Sequence, residues 1–207
     1  MRSSHVKNIE EYLNPALASW RKIPAKALDL IPTPLGMQPT EYIQKSWEAR
    51  PYGKAKTVHV ASVHDGRTWA MRASWAGVSP AGTDFPDALA VALPVRGKPA
   101  LVLMGAPDAP IHFLRWAANK EGVRSLLATG IGQSGPGPEI KCNAQAHADG
   151  DIWSVVITRA LGSGKDVAPL LAGKKTGIGF AVWHGGNDER AGIKAFSIDW
   201  AELVLEA

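Results

Sequence analysis

The chain has 207 residues, 45% of them hydrophobic and 20% charged, with 21 Gly, 15 Pro and a formal net charge of +4. That length buries a substantial core as one large β domain or two small ones. The mild charge, with no basic cluster, gives nucleic-acid binding no support. The single cysteine, Cys142, excludes an intrachain disulfide and a Cys-based zinc site.

No apolar run approaches the ~20 residues that a membrane-spanning helix needs. The N-terminus, MRSSHVKNIEEYLNPALASW, lacks the apolar core of a secretory signal. Residues 1–30 carry a weak amphipathic pattern broken by Pro15 and Pro24, which predicts a short helix and an extended arm. Ile31-Pro32-Thr33-Pro34-Leu35 must be extended, because each proline disfavours the helical region for its predecessor.

From there the pattern is that of strands. Thr57 to Val63 and Arg67 to Trp75 alternate around His64-Asp65-Gly66, a hairpin signal. Apolar strands are predicted at Asp87–Pro94 and Ala100–Met104. Ile111 to Ala118 sets His112, Leu114 and Trp116 against Ile111, Phe113 and Arg115. Further strands are predicted at Arg124–Thr129, Lys141–Ala146, Ile152–Ala160 and Gly177–Trp183, with a short helix at Val167–Leu171. About nine or ten short strands, with turn signals at this spacing, predict an all-β chain. The expected architecture is one antiparallel β-sandwich domain over 1–207, with a few short helices and a helical and extended N-terminal arm over 1–35.

Two glycine-rich segments imitate phosphate loops. Gly130-Ile131-Gly132-Gln133-Ser134-Gly135 has dinucleotide-loop spacing, but Pro136 and Pro138 stand where a helix must begin. Gly162-Ser163-Gly164-Lys165 lacks the upstream glycine of a P-loop. The six histidines form neither a His-x-x-x-His helix nor a nucleophile elbow. Each is read as a surface or hydrogen-bonded residue, with His184 and His112 kept in view.

The C-terminal stretch carries the most information. Gly177 to Trp183 is a buried strand, and His184 to Gly192 is a polar, glycine-rich loop. Ile193 to Leu205 returns to near-alternation, which puts Lys194 on one side with Phe196, Ile198 and Trp200. A lysine there is either snorkelling or held for a purpose. The run FAVWHGGNDERAGIKAFS resembles the signature of the haem-binding gamma subunits of ethylbenzene dehydrogenase and dimethylsulfide dehydrogenase. VLMGAPDAPIHFLRWAANK, ALAVALPVRG upstream of it, and Pro32-Thr33-Pro34-Leu35 are similar to further elements of that family, in the same order, across 31–207. His184 departs from the pattern, since relatives often carry a small or acidic residue after the Trp.

The resemblance implies a non-covalent haem b with Met104 and Lys194 as axial iron ligands; no Cys-x-x-Cys-His is present to anchor it. Taken alone, Met104 is ordinary core filler. His184, His112, Trp183 and Phe196 are the further candidates for the haem pocket. Thioether sulfur favours Fe(II), and lysine ligates only as the neutral amine, so burial must lower its pKa. A sandwich with sheets about 10 Å apart is expected to clamp the macrocycle between ligands about 90 residues apart in sequence.

The resemblance further implies a non-catalytic electron-transfer subunit of a heterotrimeric molybdenum oxidoreductase. Its partners would be a molybdenum-cofactor catalytic subunit, an iron–sulfur subunit and an external carrier such as a c-type cytochrome. The expected location is the periplasm, by co-export with a twin-arginine-targeted partner, or else the cytoplasm. The rival reading is a carbohydrate- or small-ligand-binding β-sandwich without haem, for which eight tryptophans would suit sugar stacking.

Overall fold

A computed structural model describes residues 1–207. In chain order the strands begin with β1 (Arg2–His5), β2 (Lys26–Asp29), β3 (Ile31–Pro32), β4 (Thr57–His64) and β5 (Thr68–Ala76). Next come β6 (Ala88–Pro94), β7 (Ile111–Ala117), β8 (Arg124–Gly130), β9 (Gln133–Pro136), β10 (Cys142–Asp149) and β11 (Ile152–Ala160). The chain closes with β12 (Gly162–Gly164), β13 (Val167–Leu170), β14 (Lys175–Trp183), β15 (Ala195–Phe196) and β16 (Ala201–Leu205). One α-helix, α1 (Glu41–Trp47), starts at Thr40, whose hydroxyl accepts from the Ile43 N–H. No helix is long and apolar enough to cross a membrane.

The strands form two layers joined through β14. Its first half, Lys175–Ile178, pairs with β16 and continues through β1, β4, β5, β11 and β10. Its second half, Gly179–Trp183, pairs with β6 and continues through β7, β8 and β9. All these pairings are antiparallel except those of β1, which lies parallel to both β4 and β16. The result is the expected β-dominated sandwich. Its core takes alternate residues from both layers: Val58, Val60, Trp69 and Met71 from one, Leu89, Val91, Leu93 and Leu114 from the other.

Four local expectations change. The N-terminus begins with a strand and two 3-10 turns, Ile9–Tyr12 and Ala18–Lys22, not an α-helix. Ile9, Tyr12 and Trp20 on those turns cover the outer face of the first layer at Ala61, Val63, Ala70 and Val156. Val167–Leu170 is a strand because it pairs with Gly162–Gly164. Ala100–Met104 is not a strand but a 3-10 turn, Leu101–Leu103, ended by Met104 at φ 58°. Ile193–Leu205 is interrupted, with pairing only at Ala195–Phe196 and Ala201–Leu205.

Candidate functional site

The second layer's two faces differ. Leu89, Val91 and Leu93 of β6 point into the core, while Ala88, Ala90 and Ala92 point outward. The neighbouring outward positions are Ala181, paired with Ala90, and Gly179, paired with Ala92. These small side chains leave room above the outer face, and there a cavity of about 330 Å³ opens. Its floor is Ala90, Ala92 and Ala181, and its walls include Phe113, Leu126, Trp183 and Phe196. Met104 and Lys194 both line it, as do Ile131, Gly132 and Ser134 at the tip of the β8–β9 hairpin. The cavity therefore lies outside the sandwich rather than between its layers, where the macrocycle was expected. The space between the layers is filled by the large residues of the core.

Met104 reaches this place by an unusual backbone. It takes a left-handed conformation, as does Gly105 at φ 83°. For a non-glycine residue that conformation is uncommon and costs about 1 kcal/mol or more. The preceding turn is fixed by N–H donation from Met104 to the Leu101 carbonyl (3.0 Å) and from Gly105 to the Ala100 carbonyl (3.2 Å). Leu101 packs with Ala92 and Ile111 and lies over Gly179, where a Cβ would come within 2.5 Å of it. Gly179 thus lets the Met104 turn sit down on the sheet.

Lys194 is held through its backbone. Its carbonyl accepts from the Thr33 N–H (3.0 Å) and the Thr33 hydroxyl (3.3 Å). Two further bonds tie the chain just before it: Trp183 Nε1 donates to the Ala191 carbonyl (3.1 Å), and Gln38 Nε2 donates to the Gly192 carbonyl (3.2 Å). The Lys194 ammonium has no hydrogen-bond or ion-pair partner and lies 5.7 Å from the centre of the Trp183 ring. Burial lowers its pKa to about 8, because the apolar surroundings disfavour the charged form. At neutral pH about a tenth is therefore already the free amine, and the cost of removing the proton for a metal is smaller than for an exposed lysine.

The polar loop after Trp183 is scaffolding. Glu189 is 1% exposed and accepts from the N–H groups of Lys54 (3.1 Å) and His184 (3.1 Å) and from Asn187 Nδ2 (3.2 Å). Asp87, 2% exposed, accepts from Ser79, Gly185 and Trp153. Arg190 stacks on Phe85 at 4.4 Å. Each buried acid thus has several donors, as buried charge requires.

Of the four further candidates for the pocket, Trp183 and Phe196 line the cavity, and His184 and His112 do not. His184 follows Trp183 on an extended backbone, so its ring turns the other way, towards Gly77 and the Ser79 hydroxyl (3.3 Å). His112 alternates with Phe113 and lies between the layers, wholly buried. Its Nδ1 accepts from the Ala168 N–H (3.4 Å), which leaves Nε2 to donate to Ser125 Oγ (3.0 Å). Burial, and then the nearby Arg159 charge, push its pKa down to about 4. Three parts of the cavity wall carry no site signal in the sequence. They are Met37–Pro39, the tip of the Gly130–Gly135 segment, and Arg115, next to Leu114 of the core, for which only the alternation of β7 gives a signal.

No family model matches the chain. Over 121 residues it is 39% identical to the chlorate reductase subunit gamma of Ideonella dechloratans, covering 58% of this chain and 50% of that protein. Over 194 residues it is 26% identical to a provisionally named respiratory nitrate reductase heme subunit, ORF7, of Haloferax mediterranei, covering 90% of this chain and 66% of that protein. The matches thus span half to just under two thirds of these relatives' lengths. A family 9 carbohydrate binding module from Caldicellulosiruptor kristjanssonii, solved with glucose, shares the fold. Its TM-score is 0.54 at 11% identity, over 100% of this chain and 95% of that one.

Proposed function

We propose that this chain binds haem b non-covalently in the outer-face cavity, with Met104 and Lys194 as axial ligands, and serves as a gamma-type electron-transfer subunit of a molybdenum-dependent oxidoreductase. One observation carries the reading. A thioether in a left-handed turn and a partnerless, readily neutralised amine, distant in sequence, line one apolar cavity with a floor of small residues. The alanine and glycine floor leaves the face of the sheet flat and uncrowded, as a planar cofactor requires, and the two donors are of the type that hold haem iron. The relatives named as a reductase gamma subunit and as a heme subunit support the same reading.

When bound, the haem supplies one-electron chemistry. Lys194 provides the neutral nitrogen donor, held in place by Thr33 through its main chain. Met104 provides a sulfur donor that favours the ferrous state. Phe113, Trp183 and Phe196 exclude water. Two protein ligands leave no coordination position for a substrate, so catalysis belongs to a partner. The partners in this proposal are a molybdenum-cofactor catalytic subunit and an iron–sulfur subunit, with an external carrier such as a c-type cytochrome. Its compartment is the periplasm, reached by co-export with a twin-arginine-targeted partner.

The shared fold favours a second reading, a carbohydrate-binding module. Against it, three of the cavity's neutral polar side chains are already engaged, and its two free polar groups of any length, Lys194 and Arg115, are cationic donors. The Thr33 and Gln38 side chains donate to backbone carbonyls, and Ser197 accepts from the Phe180 N–H (3.0 Å). A sugar's hydroxyls would find few free acceptors there.

Purification from haem-replete cells tests the proposal. The expected product shows a low-spin b-type spectrum, with haem extractable by acidified organic solvent, and brings iron–sulfur and molybdenum subunits with it. A colourless protein that takes up no added hemin overturns the haem reading. A native extract containing only the monomer overturns the partner reading.

A further inference from the structure

We infer that Arg115 is the carboxylate anchor of the cavity, the residue that receives an ionised propionate of the bound macrocycle and so fixes which way round it lies. The inference rests on the haem reading and extends it to a residue that neither the sequence motifs nor the ligand assignment singles out.

Arg115 sits at the middle of β7, between Ala90 of β6 and Arg124 of β8, on the outward face. It lines the cavity, and its guanidinium carbon lies 5.4 Å from the centre of the Trp183 ring. Lys194, with its amine 5.7 Å from the same ring centre, and Arg115 therefore approach a single indole in the cavity wall. No Asp or Glu lines the cavity, so with Lys194 serving as a neutral amine Arg115 is the charged side chain that remains there.

Half-buried, the Arg115 guanidinium makes no hydrogen bond and no ion pair. The other arginines withdrawn from water behave differently; Arg72 donates to the Pro15 carbonyl (3.0 Å) and the Ser154 hydroxyl (2.9 Å). Arg159 donates to the carbonyls of Ala168 (2.9 Å), Ala160 (3.0 Å) and Gly162 (3.4 Å) and is fully accounted for by the fold. Arg115 has only its indole contact and a like charge, Arg124, opposite on the next strand, an arrangement that is unfavourable by itself. Burial and then Arg124 lower its pKa, and no carboxylate of this chain acts to raise it. A guanidinium remains charged under such conditions, and its planar fork matches a carboxylate by two parallel hydrogen bonds. An unpaired cation beside an apolar floor is thus complementary to an amphipathic planar acid rather than to a neutral ligand.

The test compares hemin with hemin dimethyl ester, which keeps the iron and the ring but has no carboxylate. Both are titrated into haem-free protein, and binding is followed in the Soret band. A charge-assisted hydrogen-bonded pair in a partly enclosed site predicts that the wild type prefers hemin about 10- to 100-fold. Arg115→Gln should bring the two ligands to nearly equal affinity while the low-spin spectrum is retained, because Met104 and Lys194 are untouched. Arg115→Lys, which keeps the charge but loses the fork, should fall between. Removal of the cation should also lower the reduction potential of the bound haem, since a nearby positive charge favours the ferrous form. Equal wild-type affinity for the two ligands overturns the anchor while leaving the haem reading intact. So does an unchanged preference in a folded Arg115→Gln. Failure of the wild type to bind either ligand overturns both.

Discussion

The two faces of the second layer present the same chemistry in opposite states. Each carries a buried base with a lowered pKa, His112 inside and Lys194 outside. His112 is locked between two hydrogen-bond partners and surrounded by large core residues, so its neutrality serves packing. Lys194 has no partner and faces an open cavity over alanines, so its lone pair, freed at a lowered pKa, is available to a ligand. Burial alone therefore does not mark a functional group. A buried donor with nothing to bind, next to space, does.

The most severe way to break this contrast is to exchange the properties of the two faces on β6. Ala90→Phe places a large ring in the cavity, and hemin uptake should be lost. The haem-free fold should survive at an overpacking cost of about 1–3 kcal/mol. Its neighbour Leu89→Ala removes a fully buried core side chain and should cost about 2–5 kcal/mol in stability, yet leave hemin affinity largely unchanged in the folded fraction. Titration with hemin and urea denaturation of both variants check the pair.

His112 sharpens the contrast through pH. Its folded pKa of about 4 lies below the ordinary 6.5, so between those values the unfolded chain binds a proton that the folded chain refuses. Stability contributed by the neutral ring is complete above pH 6.5 and is lost as pH falls to 4, amounting to about 3 kcal/mol. Denaturation across that window should show this slope in the haem-free protein, and His112→Gln should flatten it. An unchanged slope in the variant would mean that other groups carry the acid sensitivity.

These differences set the limits of what the sequence shows. The sequence predicts the β11 strand, Ile152–Ala160, with its observed boundaries because its turn and apolar run are both local signals. The hairpin around Asp65 was legible for the same reason, and there Asp65 accepts from the Arg67 and Thr68 N–H groups. Strand β1 was not legible: Arg-Ser-Ser-His has no apolar alternation and is held by backbone pairing to β4 and β16, far away in sequence. The apolar run Ala100–Met104 predicts a strand where the chain makes the Leu101–Leu103 turn, because such a run does not reveal that Met104 and Gly105 both turn left-handed. Alternation in β7 correctly separated His112, Leu114 and Trp116 from Phe113 and Arg115. It did not tell which side would be the core and which the cavity, since that depends on the small residues of two other strands.

The central claim, that Met104 and Lys194 ligate one haem iron, is tested most directly by the low-temperature electron paramagnetic resonance and near-infrared spectra of the ferric protein. Spectra are compared for the wild type, Met104→Leu, Lys194→Ala and His184→Ala. Met104→Leu changes packing by under about 1.5 kcal/mol but removes the sulfur. The account predicts a low-spin wild type with a sulfur-to-iron charge-transfer band. That band should be lost in Met104→Leu, low-spin character should be lost in Lys194→Ala, and His184→Ala should leave the spectrum unaltered. A His184→Ala protein that loses its low-spin signal while Lys194→Ala keeps it would contradict the assignment and make the loop histidine the ligand.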